Sequence, residues 1–169
     1  MFYCLYHSPI GQLLLVGDGK QIHKIVFPDG AKPSETDNDW QKNPAPFKAL
    51  ISQLDAYFDG SLKRFSIALC PQGTQFQQSV WSALQNIDYG ETCSYLDIAT
   101  EIGKPSASRA VGAANGANPI PIVIPCHRVI GTNGTLTGFA GGLHTKHWLL
   151  THEAGEQSLF PFEEWLTPQ

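Results

Sequence analysis

The spacing of apolar residues along the chain changes near residue 70. Before it, Phe2–Tyr6, Gln12–Val16 and Gln21–Phe27 are apolar, aromatic and β-branched runs separated by the turn sequences SPIG, GDGK and FPDG. Runs of this length between Gly, Pro and Asp clusters predict strands. From Pro46 to Gly60 the period lengthens: Phe47, Leu50, Ile51, Leu54, Tyr57 and Phe58 line one face of a helix that Gly60 stops. Arg64–Leu69 predicts one more strand. No polar constellation stands in this segment, and it reads as a scaffold.

Beyond Cys70-Pro-Gln-Gly the pattern is helical. Thr74 is placed to cap a helix with Gln77 at the capping-box position, and Phe76, Val80, Ala83, Leu84 and Ile87 share its apolar face until Tyr89-Gly90. Ser94 caps a second helix with Asp97 three residues on; Tyr95, Ile98, Ala99 and Ile102 form its stripe and Gly103 ends it. Lys104-Pro105-Ser106 reads as a tight turn, with Ser106 capping a third helix that reaches about Gly116. Two short helices joined this way fit a helix-turn-helix. By spacing alone, an ordinary αα-corner is the commoner reading of such a pair.

The third helix is nearly bare. Ala107, Ala110, Gly112, Ala113, Ala114 and Gly116 leave Arg109 as its one long polar side chain. Two interior glycines each cost a helix about 1 kcal/mol relative to alanine, so its backbone is expected to be closely approached by a neighbouring helix or by a nucleic-acid groove. A major-groove reader needs long hydrogen-bonding side chains, so against DNA this helix suits the minor groove, with Arg109 intruding into the base stack.

Composition narrows the class. The chain has 169 residues, 42% hydrophobic and 15% charged, as in a soluble globular protein of one domain or two small ones sharing an interface. It has no apolar run of about 18 residues, so no membrane span is expected. The N-terminus shows no basic and then apolar leader, which points to the cytoplasm. A net charge of -4 argues mildly against a nucleic-acid partner. The average conceals a division, however. Thr92–His152 holds four basic residues (Lys104, Arg109, Arg128, Lys146) against Asp97 and Glu101, whereas Glu153 onward holds four acidic residues and no basic one. So few charges do not support binding mainly by phosphate neutralisation.

Four cysteines, at 4, 70, 93 and 126, show neither CxxC nor zinc-ligand spacing and are expected to be free thiols. Cys126 stands out. It ends the sequence Pro119-Ile-Pro-Ile-Val-Ile-Pro, whose three prolines exclude helix and predict a stiff apolar rod, and it is followed by His127 and Arg128. A cysteine beside His or Arg can become a nucleophilic thiolate. Adjacent side chains point apart, so a bridging water suits this pair better than direct contact. Trp148–Glu153 ends a further helix and brings a carboxylate that can orient His127. Alone, such a Cys-His pair is more often structural.

IPCHRVIG, preceded by Asn118-Pro119 and SASRAVG and followed by GGL and WLLTHE, closely resembles the O6-alkylguanine-DNA alkyltransferases, the methylated-DNA–protein-cysteine methyltransferases. The likeness is tight from about Thr74 to Gly155 and weaker in SPIG and LDAYFDG of the first half. It implies an α/β (α+β) protein: a small N-terminal sheet-plus-helix domain, 1–72, packed on a mainly helical DNA-binding domain, 73–156, with a helix-turn-helix, and a tail, 157–169. It implies direct reversal of DNA damage. On that likeness, O6-alkylguanine, with O4-alkylthymine as a further candidate substrate, is expected to be flipped from duplex DNA and to pass its alkyl group irreversibly to Cys126.

The resemblance also assigns roles. Cys126 is the acceptor, His127 its base through a water, Glu153 the partner of the imidazole, and Asn118 the brace of the turn. Tyr95 crowds the flipped nucleotide's phosphate and protonates guanine N3, and Arg109 fills the vacated stack. Ser94, Lys104, Ser106, Ala113, Arg128 and Thr132 complete the expected DNA contacts. Cys126 and Val129 carbonyls, the Phe139 ring and the Ala140 amide form the base pocket. Two departures stand out. Phe139-Ala140 replaces the tyrosine, and in some relatives the serine, found there. Some relatives carry a zinc site; His23 matches one ligand, but Asp18 lies near where a cysteine is required, so neither metal nor cofactor is expected. The partner is double-stranded DNA and the protein a monomer. A lesion sensor of the alkyltransferase-like kind is the alternative, but it lacks the cysteine that this chain has; a cysteine hydrolase is disfavoured by the Cys-His adjacency.

Overall fold

The computed structural model describes residues 1–27 and 39–155. The chain divides into two compact units, Met1–Gly73 with Pro119–Val123, and Thr74–Asn118 with the chain from Ile124 onward. The boundary lies at the expected place, and residues 119–123 group with the first unit, where the Ile25 amide donates to the Pro119 carbonyl at 2.9 Å. The expected tail, 157–169, and the FPDG turn beyond Phe27 lie outside the described residues.

The first unit is a four-stranded sheet and one helix. β1 (Phe2–Ser8) and β2 (Gly11–Gly17) pair antiparallel in unbroken register from Phe2↔Gly17 to Ser8↔Gly11, and β3 (Ile22–Val26) continues the meander. A strand too short and polar to stand out in the sequence, β4 (Gln41–Lys42), adds parallel to β1, giving the order β3-β2-β1-β4. Helix α1 (Lys48–Phe58) buries Leu50, Leu54 and Tyr57, the stripe its period predicts. The expected strand Arg64–Leu69 does not form; only Leu69 bridges Ile22. The Gln53 side chain takes the place of a neighbouring strand, accepting from the Ser66 amide at 2.8 Å and donating to its carbonyl at 3.2 Å.

The second unit holds α2 (Gln75–Leu84), α3 (Tyr95–Glu101), α4 (Ser108–Gly116) and α5 (Leu143–Ala154). Both predicted capping boxes are complete: Thr74 exchanges hydrogen bonds with Gln77, and Ser94 with Asp97. The wholly buried Trp81 of α2 donates its indole N–H to the Ala114 carbonyl of α4 at 2.8 Å. Ser106 is corrected as a cap. It sits in a turn closed by the Ala107 amide on the Lys104 carbonyl, and Ala107 takes the N-cap position without a side-chain bond.

Pro119–Pro125 is not a straight rod. Ile122 is the only non-glycine residue with positive φ among the described ones, at 74°, and it turns the chain there. A β-branched residue in that region costs on the order of 1–3 kcal/mol unless its surroundings hold it, and Ile120, Ile122 and Ile124 are all buried. Pro125, at φ -81° and ψ 63°, then makes an inverse γ-turn, closed by the Cys126 amide on the Ile124 carbonyl at 2.8 Å.

Candidate active site

That γ-turn delivers Cys126 to the first position of a 3-10 turn, Cys126–Arg128, followed by β6 (Val129–Ile130). Asn118 donates from its amide to the Ile124 carbonyl at 2.8 Å and holds the turn from behind. β5 (Cys93–Ser94) pairs parallel with β6, Cys93 opposite Val129, which sets Tyr95 at the start of α3 beside the same turn.

Cys126, His127 and Arg128 are all buried. His127 Nε2 lies 2.7 Å from Glu153 Oε1, and its Nδ1 is buried with no hydrogen-bond partner. Glu153 is densely satisfied. Arg128 donates from Nε to Oε2 at 2.8 Å and from Nη2 to Oε1 at 3.0 Å, and the Gly90 amide approaches Oε2 at 3.3 Å. Burial alone would raise this carboxyl, but the charge and hydrogen bond of His127 and then those of Arg128 hold it well below the usual carboxylate range. An ionised Glu153 fixes the proton of His127 on Nε2 and leaves Nδ1 as the basic nitrogen.

The expected DNA contact of Arg128 is thereby corrected. Its side chain is 7% exposed, its remaining Nη1 donates to the Ile87 carbonyl at 2.6 Å, and it lies over the Tyr89 ring. The guanidinium supports Glu153 and does not face solvent.

Three cysteines sit near one another on the acidity scale for different reasons. Burial raises Cys4 to about 11 with nothing opposing it. Cys93 reaches about 11 through burial, and the Asp97 and Glu101 carboxylates add to the rise. Burial also raises Cys126 to about 11, but here a hydrogen bond from Asn118, the Lys146 charge and two backbone amides all favour the thiolate. Only the last is surrounded by groups that a proton acceptor could exploit.

Lys146 is the residue sequence reasoning missed. Its side chain is wholly buried and its Nζ donates to the Val129 carbonyl at 2.6 Å and the Thr137 carbonyl at 2.8 Å. Burial lowers it to about 8, against the pull of Cys126. The signal was in the helix period: Lys146, Leu149, Leu150 and Glu153 form the buried i, i+3, i+4, i+7 stripe of α5, so a lysine and a glutamate share a core face. Asn115 was missed likewise; it follows Val111 and Ala114 on the buried face of α4 and donates to the Cys126 carbonyl at 3.3 Å.

Other expected residues fall around this centre. Arg109, Ala113 and Gly116 line the exposed face of α4. A Cβ on Gly116 would meet nothing within 4 Å, and one on Gly112 would only touch the Tyr95 ring at 3.8 Å, so no neighbouring helix demands these glycines. Lys104 is exposed over the Phe76 ring, Ser106 and Thr132 are exposed, and the Ser94 hydroxyl and amide are both given to Asp97. Val129 is buried, Phe139 half-buried and Ala140 exposed. His23 pairs with Asp18 at 3.2 Å, and among the described residues no group of three His, Cys, Asp or Glu could hold a metal ion. No helix among them is long and apolar enough to cross a membrane.

Two family models match nearly the whole chain: the ribonuclease-like domain of 6-O-methylguanine DNA methyltransferase over residues 1–71, and its DNA-binding domain over 75–155. The chain is 52% identical over 153 residues to a methylated-DNA–protein-cysteine methyltransferase of Methanosarcina acetivorans, covering 90% of this chain and 98% of that protein. One from Mycobacterium bovis is 49% identical, over 89% of this chain and 91% of that protein. Among solved structures, Mycobacterium tuberculosis OGT in complex with DNA superposes with a TM-score of 0.85 at 46% identity, covering 91% of this chain and 93% of that one. With both family models and these relatives matched over most of its length, this chain belongs to the methylated-DNA–protein-cysteine methyltransferase family.

Proposed function

We propose that the chain repairs O6-alkylguanine in duplex DNA by moving the alkyl group to Cys126 Sγ, once per molecule. The observation that carries this reading is the buried line Glu153–His127, which leaves Nδ1 of an anchored imidazole as the one basic ring nitrogen on the residue that follows Cys126, whose anion Asn118, Lys146 and two backbone amides favour against the cost of burial. His127 takes the thiol proton through a water. The thiolate attacks the alkyl carbon, the S–C bond forms, and the C–O6 bond breaks.

Guanine leaves poorly as an anion, so Tyr95 gives a proton to N3 while the Ala140 amide faces O6. The lesion must leave the stack first, at a cost of a few kcal/mol. The bare exposed face of α4 lies in the minor groove and Arg109 fills the gap, which offsets that cost. Lys104, Ser106 and Thr132, all exposed, supply backbone contacts. Phe139 covers the face of the base. The Cys126 carbonyl already accepts from the Val129 amide and the Asn115 side chain, and the Val129 carbonyl from Lys146, so the exocyclic amine shares these acceptors with the protein's own donors. A thiol that must stay reduced to react suits a reducing compartment, which supports a cytoplasmic location.

Intact mass after incubation with a duplex containing O6-methylguanine tests the reading. A gain of one methylene per chain that stops at one equivalent supports it. An unchanged mass with lesion binding would make the protein a sensor, and continuing release of product would make it a hydrolase.

A further inference from the structure

We propose that Thr137 is a positioning residue for the transfer step: its hydroxyl donates to the Tyr95 hydroxyl, aiming the phenol and strengthening it as an acid. The inference rests on Tyr95 as the proton donor and deepens that reading. Thr137 was not singled out by its sequence, since it stands in a loop 42 positions from Tyr95.

The two residues share a reciprocal pair of hydrogen bonds. Thr137 Oγ1 donates to Tyr95 Oη at 2.9 Å, and Tyr95 Oη donates to the Thr137 carbonyl at 3.2 Å. These bonds differ in what they do. The longer one only parks the phenol proton, and guanine N3 can replace the carbonyl as its acceptor. The shorter one ends on the phenol oxygen, where negative charge grows as the proton leaves. A donor to the charged form favours that form, so it makes the phenol a better acid. Burial raises the Tyr95 phenol and the Thr137 bond opposes that rise, in agreement with the geometry.

Thr137 is held for this purpose from its other side. Its carbonyl also accepts from Lys146 Nζ at 2.8 Å, and the same ammonium donates to the Val129 carbonyl at 2.6 Å. One buried side chain thus ties the loop of Thr137 to the turn of Cys126. A β-branched side chain is stiff at χ1, so an anchored backbone also directs the hydroxyl. In the step itself the Tyr95 O–H bond breaks and N3 gains the proton as the C–O6 bond breaks and the S–C bond forms. The phenolate left behind accepts from Thr137 until solvent reprotonates it.

Single-turnover transfer at saturating methylated duplex, with DNA affinity measured separately, tests this on Thr137→Val, Thr137→Ser, Tyr95→Phe and the Thr137→Val/Tyr95→Phe double variant. We expect Thr137→Val to slow transfer about tenfold, the size of one net hydrogen bond, with affinity unchanged, and Thr137→Ser to restore the rate. In the Tyr95→Phe background the valine should add nothing. A slow Tyr95→Phe beside a fast Thr137→Val would overturn the inference and leave Tyr95 as donor. So would equal valine losses in both backgrounds, or a loss confined to affinity. An unchanged rate in Tyr95→Phe would remove the donor reading, and the inference with it.

Discussion

The two units solve the problem of a core in opposite ways. In the first, the buried side chains are aliphatic, aromatic or the Cys4 thiol, and the buried Tyr6 hydroxyl reaches Asp55 at 2.7 Å. In the second lie all six buried polar or charged residues among those described: Asn115, Asn118, His127, Arg128, Lys146 and Glu153. Buried charge is weak evidence for stability, because desolvation can exceed the attraction gained. A core that gathers four hydrogen-bonding partners, Asn115, Asn118, Lys146 and Glu153, around one active turn is therefore organised for chemistry, whereas the apolar core is organised for stability alone. The comparison separates what each substitution should damage.

The sharpest contrast is between the two buried thiols. Cys126→Ser should abolish alkyl transfer while leaving lesion binding largely intact, since hydroxyl and thiol are similar in size and far apart in acidity. Cys4→Ser should leave transfer by the folded protein unchanged and alter only stability. Mass spectrometry and denaturant unfolding read the two outcomes, and transfer lost in a folded Cys4 variant would break the division.

Next in size, Glu153→Gln should destabilise the second unit by about 3–5 kcal/mol, because Arg128 keeps its buried charge without a counter-charge. Its pH dependence has a definite sign. Glu153 is lowered in the folded state from its ordinary value of 4.5, so the stability it adds is complete above that pH and is lost as pH falls below it. Urea titrations at stepwise lower pH should show this loss in the parent and a flatter profile in the glutamine variant.

Leu54→Ala, at a fully buried position of α1, should cost about 2–5 kcal/mol through transfer and cavity terms. Transfer by the fraction that remains folded should be unaffected. A matching fall in single-turnover rate would mean that the apolar unit also shapes the chemistry.

Lys146→Met should show the reverse. Burial lowers Lys146 to about 8 from 10.5, so its charged form is disfavoured in the fold by on the order of 3 kcal/mol. Methionine removes that penalty but leaves the Val129 and Thr137 carbonyls without their donor, and the net stability change should be small. Transfer should fall about tenfold near neutral pH, as one charge stabilising the thiolate and one clamp are lost. In the parent, stability should rise as pH increases from about 8 toward 10.5, because the unfolded chain binds the proton that the folded one sheds. The methionine variant should lack this rise.

Much of this architecture was legible one element at a time. The meander of β1, β2 and β3, the α1 stripe and both capping boxes follow from period and local chemistry, because neighbours in sequence satisfy them. Cys126, His127, Asn118 and Glu153 could be assigned through the family motif. What the chain alone did not disclose depends on distant partners. Arg64–Leu69 has the composition of a strand, yet the Gln53 side chain takes both backbone bonds of Ser66 in its middle. Arg128 counts as a surface cation until Glu153 and the Ile87 carbonyl enclose it. Lys146 and Thr137 look unremarkable nine positions apart, and acquire meaning only where α5, β6 and the loop converge on one ammonium. Periodicity determines which face of an element is buried. Whether a polar group on that face is a liability or a tool is decided by which carbonyl, carboxylate or thiol the tertiary fold places within hydrogen-bonding reach.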